Sequence, residues 1–131
     1  WDGEPDGKPS GLVHRRWSRF GQSGAKLIWG GEAVAVRSDG RANPHQLVIN
    51  EVNLSSLAEL RESLVREHAS HFGNTSDLFV GLQLTHSGRF SRPVVKGTPM
   101  PRTAYRHPLL DRRVNVVDDQ PVLSDDEFKS I

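Results

Sequence analysis

The sequence predicts an α/β fold in which parallel strands are joined through a helix. Three observations lead there. Two short apolar runs, Ala25-Lys26-Leu27-Ile28-Trp29 and Glu32-Ala33-Val34-Ala35-Val36, surround Gly30-Gly31. Further on, Leu57, Leu60, Leu64, His68 and Phe72 recur at helical spacing, and residues 78–85 form a nearly continuous apolar run. Strand, helix, strand in this order is a βαβ unit, with its strands parallel and its helix on the outer face. A lone parallel pair leaves open edges and bare apolar faces, so such a unit requires further strands beside it.

Each element has its own signal. Pro9 and Ser10 precede Val13, Trp17 and Phe20 at helical spacing, with His14, Arg15, Arg16 and Arg19 between them, and Gly21 and Gly24 punctuate the end. This is a first amphipathic helix. Gly30-Gly31 places a kink or bulge within the first strand, and Ser38-Asp39-Gly40 closes it with a turn. Residues 43–53 read as irregular, with Pro44 a breaker. Ser56 and Glu59 then form a capping-box pattern that starts the second helix, and Gly73 stops it. On that helix Glu62 and Arg66 stand in the favourable i,i+4 order, worth only about 0.2–0.5 kcal/mol. The second strand, residues 78–85, reads as covered on both faces.

Residues 86–123 read as one long loop rich in proline and arginine. A structureless run well above ~15 residues in a compact domain is usually functional, and in barrels of eight βα repeats the loops after the strands build the active site. Ser124 and Glu127 form another capping box, so a helix begins there. With no initiator Met at the other end, the 131 residues read as an excerpt of a longer domain.

Composition excludes several classes. The net charge of +1 is unlike that of a nucleic-acid protein, and the absence of cysteine removes disulfides, thiolate metal sites and a thiol nucleophile. No apolar run approaches the ~18 residues of a membrane span, and Trp1-Asp2-Gly3-Glu4-Pro5-Asp6-Gly7 is not a signal peptide. The expectation is a cytoplasmic protein without a membrane partner.

Among chemistry-bearing residues, Gln83 is the sharpest, as an amide inside an apolar strand. A buried, unpaired amide costs about 1–3 kcal/mol, so it needs a partner able to use its donor and its acceptor. His68 and His71 lie three apart on a helix, but no third ligand completes a metal site. Residues 2–7 lack the ligand series of a calcium loop and read as turns. His86 either faces a site at the strand's end or orients the loop. Arg89, Arg92, Lys96, Arg102, Arg106, Arg112 and Arg113 raise a rival from another class, a non-catalytic module binding nucleic acid or phosphorylated ligands. Their scatter among prolines, without stacking aromatics, argues against it.

Taken in order, Ser23-Gly24-Ala25-Lys26-Leu27-Ile28, Glu32-Ala33-Val34-Ala35-Val36 with Gly40-Arg41, and Gly81-Leu82-Gln83-Leu84-Thr85-His86-Ser87-Gly88-Arg89 resemble successive motifs of the old yellow enzyme family, the FMN-dependent NADH:flavin oxidoreductases. The resemblance implies a partial (β/α)8 TIM barrel, repeats one to three, incomplete on its own. Residues 1–131 would be a fragment of a single FMN-binding barrel domain with a long active-site loop at 86–123. It implies Gln83 on the flavin pyrimidine edge and Ala33 as the small residue against the ring. Arg89, His86 and Trp1 become active-site neighbours. The family's substrate-anchoring His/His or His/Asn pair, and the arginines that hold the flavin and its phosphate, are expected beyond Ile131.

The implied activity passes a hydride from NADH or NADPH through FMN to an electron-poor alkene or similar acceptor. Its partners are a small-molecule substrate and the remainder of the barrel, and a homo-oligomer is compatible with it. A dienoyl-CoA-reductase-like enzyme with an added iron–sulfur segment is an alternative within flavin barrels. The chain departs from the family where Gly30-Gly31 stands between the apolar run and Glu32-Ala33.

Overall fold

The computed structural model describes residues 1–117 and 119–131. Helix α1 runs over Gly11–Gln22. Ser10 is extended and its hydroxyl accepts from the Val13 amide, satisfying one of the free N–H groups of the first turn. Val13, Trp17 and Gly21, four apart, form its buried stripe. Helix α2, Leu54–Phe72, buries Leu57, Leu60, Leu64 and His68. The two helices cross where Gly21 meets α2: a Cβ there would lie 2.3 Å from the Leu64 carbonyl oxygen.

Strand β1, Leu27–Ala35, pairs in parallel with β2, Phe79–Thr85. The βαβ order is therefore present, as a two-stranded sheet. Leu27 to Trp29 register with Phe79 to Gly81, and Ala33 to Ala35 with Gln83 to Thr85. Between Trp29 and Ala33 the ladder shifts, so Gly30, Gly31 and Glu32 bulge at the predicted glycines. Gly30 has φ +60, where a side chain would be strained. Beyond the bulge, the Ala35 N–H donates to the Leu47 carbonyl (2.8 Å) and the Ile49 N–H to the Ala35 carbonyl (2.9 Å), so residues 47–49 flank the carboxyl end of β1.

Both helices contribute to one core, in which Val13, Trp17, Leu57, Leu60 and Leu64 meet Ile28, Val34 and Leu47. Val80 and Leu82 pack against it. On the other face of the sheet, Leu27, Trp29 and Phe79 are 62%, 68% and 58% exposed, and the Trp29 and Phe79 rings stack at 6.4 Å. This face is open around Trp29, Phe79 and Gln83, which corrects the expectation of a strand covered on both faces. An apolar run reports what a face can bury, while coverage depends on which elements reach it.

Two other expectations are corrected. Helix α2 begins at Leu54, and Ser56 is inside its first turn instead of capping it. The turn from Asn50 starts the helix: its side-chain oxygen accepts from the Asn53 N–H (2.8 Å) and its carbonyl from the Leu54 N–H (2.9 Å). The stretch after β2 is not wholly loop, because it holds a 3-10 turn at Gly88–Phe90 and helix α3 at Pro108–Arg113. A proline at the first helical position loses no hydrogen bond, so Pro108 can open α3 within the stretch expected to be loop. Helix α4, Asp125–Lys129, carries the expected capping box between Ser124 and Glu127.

Candidate functional site

Ala33 and Gln83 are register partners, each two residues from the carboxyl end of its strand. They share the sheet face that carries Trp29 and Phe79, the one away from the helical core. Gln83 is exposed and its side chain makes no hydrogen bond among the described residues. That corrects the premise of a buried amide: burial does not force a partner on Gln83, whose donor and acceptor face solvent. Gly30 leaves room beside it, since a Cβ there would meet the Gln83 side-chain oxygen at 3.6 Å. Ala33 is half-buried.

The amide that is buried is Gln46, 1% exposed. Its Oε1 accepts from the Ala42 N–H (2.6 Å), and its Nε2 donates to the Ala33 carbonyl (2.8 Å) and to the Thr85 hydroxyl (2.9 Å). Sequence reasoning passed over it by treating residues 43–53 as irregular. The signal was present, because Gln46 heads the apolar run Leu47-Val48-Ile49 much as Gln83 interrupts its own.

His86, just past β2, packs against Gly40; a Cβ on that glycine would be 2.3 Å from the imidazole Cδ2. The His86 Nδ1 accepts from the Gly88 N–H (3.1 Å), which places the proton on Nε2, 4.0 Å from Asp39. Burial pulls the His86 pKa below the usual histidine range; Asp39 opposes this, and Arg37 and Arg102 reinforce it. Folded His86 therefore takes up a proton less readily than unfolded His86. Its stabilising contribution is complete above the unfolded pKa of about 6.5 and is lost as pH falls through that value towards the folded one. Between pH 8 and pH 5, urea midpoints are expected to fall further for the parent chain than for His86→Asn, which keeps the acceptor for Gly88. Parallel pH profiles would refute the assignment.

Arg89 is buried and turned into the loop. Its guanidinium pairs with Asp111, donates to the Tyr105 carbonyl (2.6 Å) and lies 5.0 Å above the Tyr105 ring. His86 and Arg89 line a cleft of about 430 Å³ with Arg102, Thr103, Leu123 and Phe128. Trp1 is elsewhere, in an open cleft with Asp2, Arg15 and His45. The structure therefore brings Ala33 to Gln83 and His86 to Arg89, while Trp1 joins neither pair.

Several residues of the rival motifs are engaged within the chain. Arg102 pairs with Asp39 and Glu127, and Arg106 donates to the Val117 carbonyl, so with Arg89 three of the seven loop cations are turned onto their own chain. Arg92, Lys96, Arg112 and Arg113 make no ion pair among the described residues. His68 is buried with Nε2 beside the Lys26 amine (3.3 Å), and exposed His71 bonds to its own helix. No cluster of three or more His, Asp or Glu able to hold a metal occurs among the described residues. In the first turn Asp2 pairs with Arg16 and Asp6 with Lys8. No described helix is long and apolar enough to cross a membrane.

No protein-family model and no curated protein sequence matches the chain.

Proposed function

We propose that the chain is part of an FMN-dependent NAD(P)H oxidoreductase of the old yellow enzyme type, its βαβ unit forming repeats two and three of a (β/α)8 barrel. The observation that carries this reading is the pairing of Ala33 with Gln83 near the carboxyl ends of two parallel strands, on the face the helices leave bare. In barrels of this kind the inward face of the sheet meets other strands, and the carboxyl ends of the strands hold the active site. The stacked Trp29 and Phe79, exposed on this face, suit such an interior.

The residues present fit a flavin edge. The Gln83 carboxamide has a free donor and a free acceptor, the pair that a ring carbonyl and ring N–H require. Ala33 beside it has only a methyl group to place against the ring. When bound, FMN supplies hydride transfer between a nicotinamide and an electron-poor alkene. The chain's own part is to orient the pyrimidine edge through Gln83, to keep the approach open at Ala33, and to exclude water with the apolar face below.

The test is expression of the chain with whatever its gene encodes on either side, followed by visible spectroscopy of the purified product. A yellow protein is expected, in which Gln83→Ala weakens FMN binding roughly tenfold to a hundredfold, as for loss of one or two buried hydrogen bonds. A colourless product that retains no flavin absorbance after incubation with FMN and removal of the free cofactor would end the proposal.

A further inference from the structure

We infer that Gln46 is a positioning residue that sets the span between Ala33 and Gln83. The inference rests on the flavin reading for its functional consequence, but its geometry stands apart from it. The Gln46 Nε2 bridges the two strands, donating to the carbonyl of Ala33 in β1 and to the hydroxyl of Thr85 in β2. Thr85 passes the restraint on, its Oγ1 donating to the Val34 carbonyl at 3.4 Å. Two successive peptide groups of β1 are therefore tied, directly or through Thr85, to one carboxamide. Ala33 is the register partner of Gln83, and Thr85 lies two residues beyond it. A change in where Gln46 sits moves Ala33 relative to Gln83.

Gln46 is itself firmly held. Its Oε1 accepts from the Ala42 N–H and its own N–H donates to the Asn43 carbonyl (3.0 Å). The loop is pinned by Arg41, whose guanidinium donates to the carbonyls of Ser38 (3.2 Å), Pro5 (2.9 Å) and Pro44 (2.7 Å). Just after it, residues 47–49 bond to Ala35. A buried amide with donor and acceptor both used, anchored on each side, is a rigid spacer, and sites are set to fractions of an ångström by such supporting contacts. Gln46 makes no hydrogen bond to Gln83 itself, so its role is to place other groups.

The informative variant is Gln46→Glu, which keeps the shape and the acceptor for Ala42 but loses the amide donors at neutral pH. Protonation on acidification returns one donor. In the chain of residues 1–131, amide NMR signals of Ala33, Val34 and Gln83 are expected to shift in Gln46→Glu at neutral pH and to move back towards the parent positions on acidification. In the flavin-loaded longer protein, the same variant is expected to weaken FMN binding about tenfold, the equivalent of one buried hydrogen bond, and to displace the flavin absorption maximum.

Leu60→Ala, a change in the core between the helices and the sheet, serves as the control for simple loss of stability. It is expected to lower the melting temperature without moving the flavin spectrum. If Gln46→Glu does not fold, Thr85→Val removes one of the two bonds and is expected to shift the same signals by less. A Gln46 variant, or Thr85→Val in its place, that matches the control in spectrum and FMN affinity would overturn the inference while leaving the flavin reading intact. If the longer protein holds no FMN, the flavin reading falls. Unchanged Ala33 and Gln83 signals would then overturn the placement of the strands by Gln46 as well.

Discussion

Arg16→Met is expected to destabilise the chain by about 3–5 kcal/mol, the cost of leaving one member of a buried ion pair alone. Glu32 sits in the β1 bulge and is only 6% exposed. Its Oε1 accepts from the Arg16 Nε at 3.1 Å and also from Nη2. Arg16 is differently placed: its side chain is 35% exposed and also reaches Asp2 at 2.8 Å. The pair is therefore asymmetric. Removing the cation leaves a carboxylate enclosed without compensation, whereas removing the carboxylate leaves a guanidinium with water and Asp2.

Glu32→Gln, which keeps an acceptor for Arg16, is accordingly expected to cost only about 1 kcal/mol. The double change Arg16→Met with Glu32→Met should recover most of the loss, since an apolar pair of similar volume often replaces a buried ion pair without penalty. Urea unfolding of the three variants tests this. Equal losses for the two single changes would contradict the asymmetry. A double variant no better than Arg16→Met would show that packing, not charge, holds the bulge to α1.

Gly21→Ala is expected to lower stability by about 1–3 kcal/mol, as overpacking does. Helix propensity alone predicts the opposite sign, a gain of up to about 1 kcal/mol for alanine over glycine inside a helix. Contact decides between them. At Gly21 a Cβ would stand 2.3 Å from the Leu64 carbonyl oxygen, 2.8 Å from the Glu67 Cβ and 3.1 Å from the His68 nitrogen. Two of these are backbone atoms of α2, which cannot swing aside, so the helices must separate. Gly11 on the same helix has nothing within 4 Å of its added Cβ, and Gly11→Ala is expected to be neutral or stabilising. Thermal melts in which both substitutions stabilise would show that α1 and α2 do not pack closely at Gly21.

Much of the fold was legible because its signals are local. The stripe of Val13 and Trp17 marks α1, Leu57, Leu60 and Leu64 mark α2, and Gly73 ends that helix with φ +73. Gly30-Gly31 marks the bulge, and Ser124 with Glu127 marks α4. Where two local signals competed, the reading failed. Asn50 rather than Ser56 starts α2, because its side chain and carbonyl take the first free N–H groups, and Pro108 opens a helix inside a stretch whose composition predicts a loop.

The sequence by itself determined the order of elements, the position of the bulge and the placing of Ala33 and Gln83 near the ends of successive strands, because periodicity, caps and glycine conformations act over a few residues. Only the tertiary structure decided which amide is enclosed, Gln46 and not Gln83, and that Arg89 turns to Asp111 while His86 rests on Gly40. It alone decided that the sheet face carrying Trp29, Phe79 and Gln83 is left open there. Burial and pairing are set by groups far apart along the chain. A strand of alternating or continuous apolar residues carries no record of which neighbours will reach it.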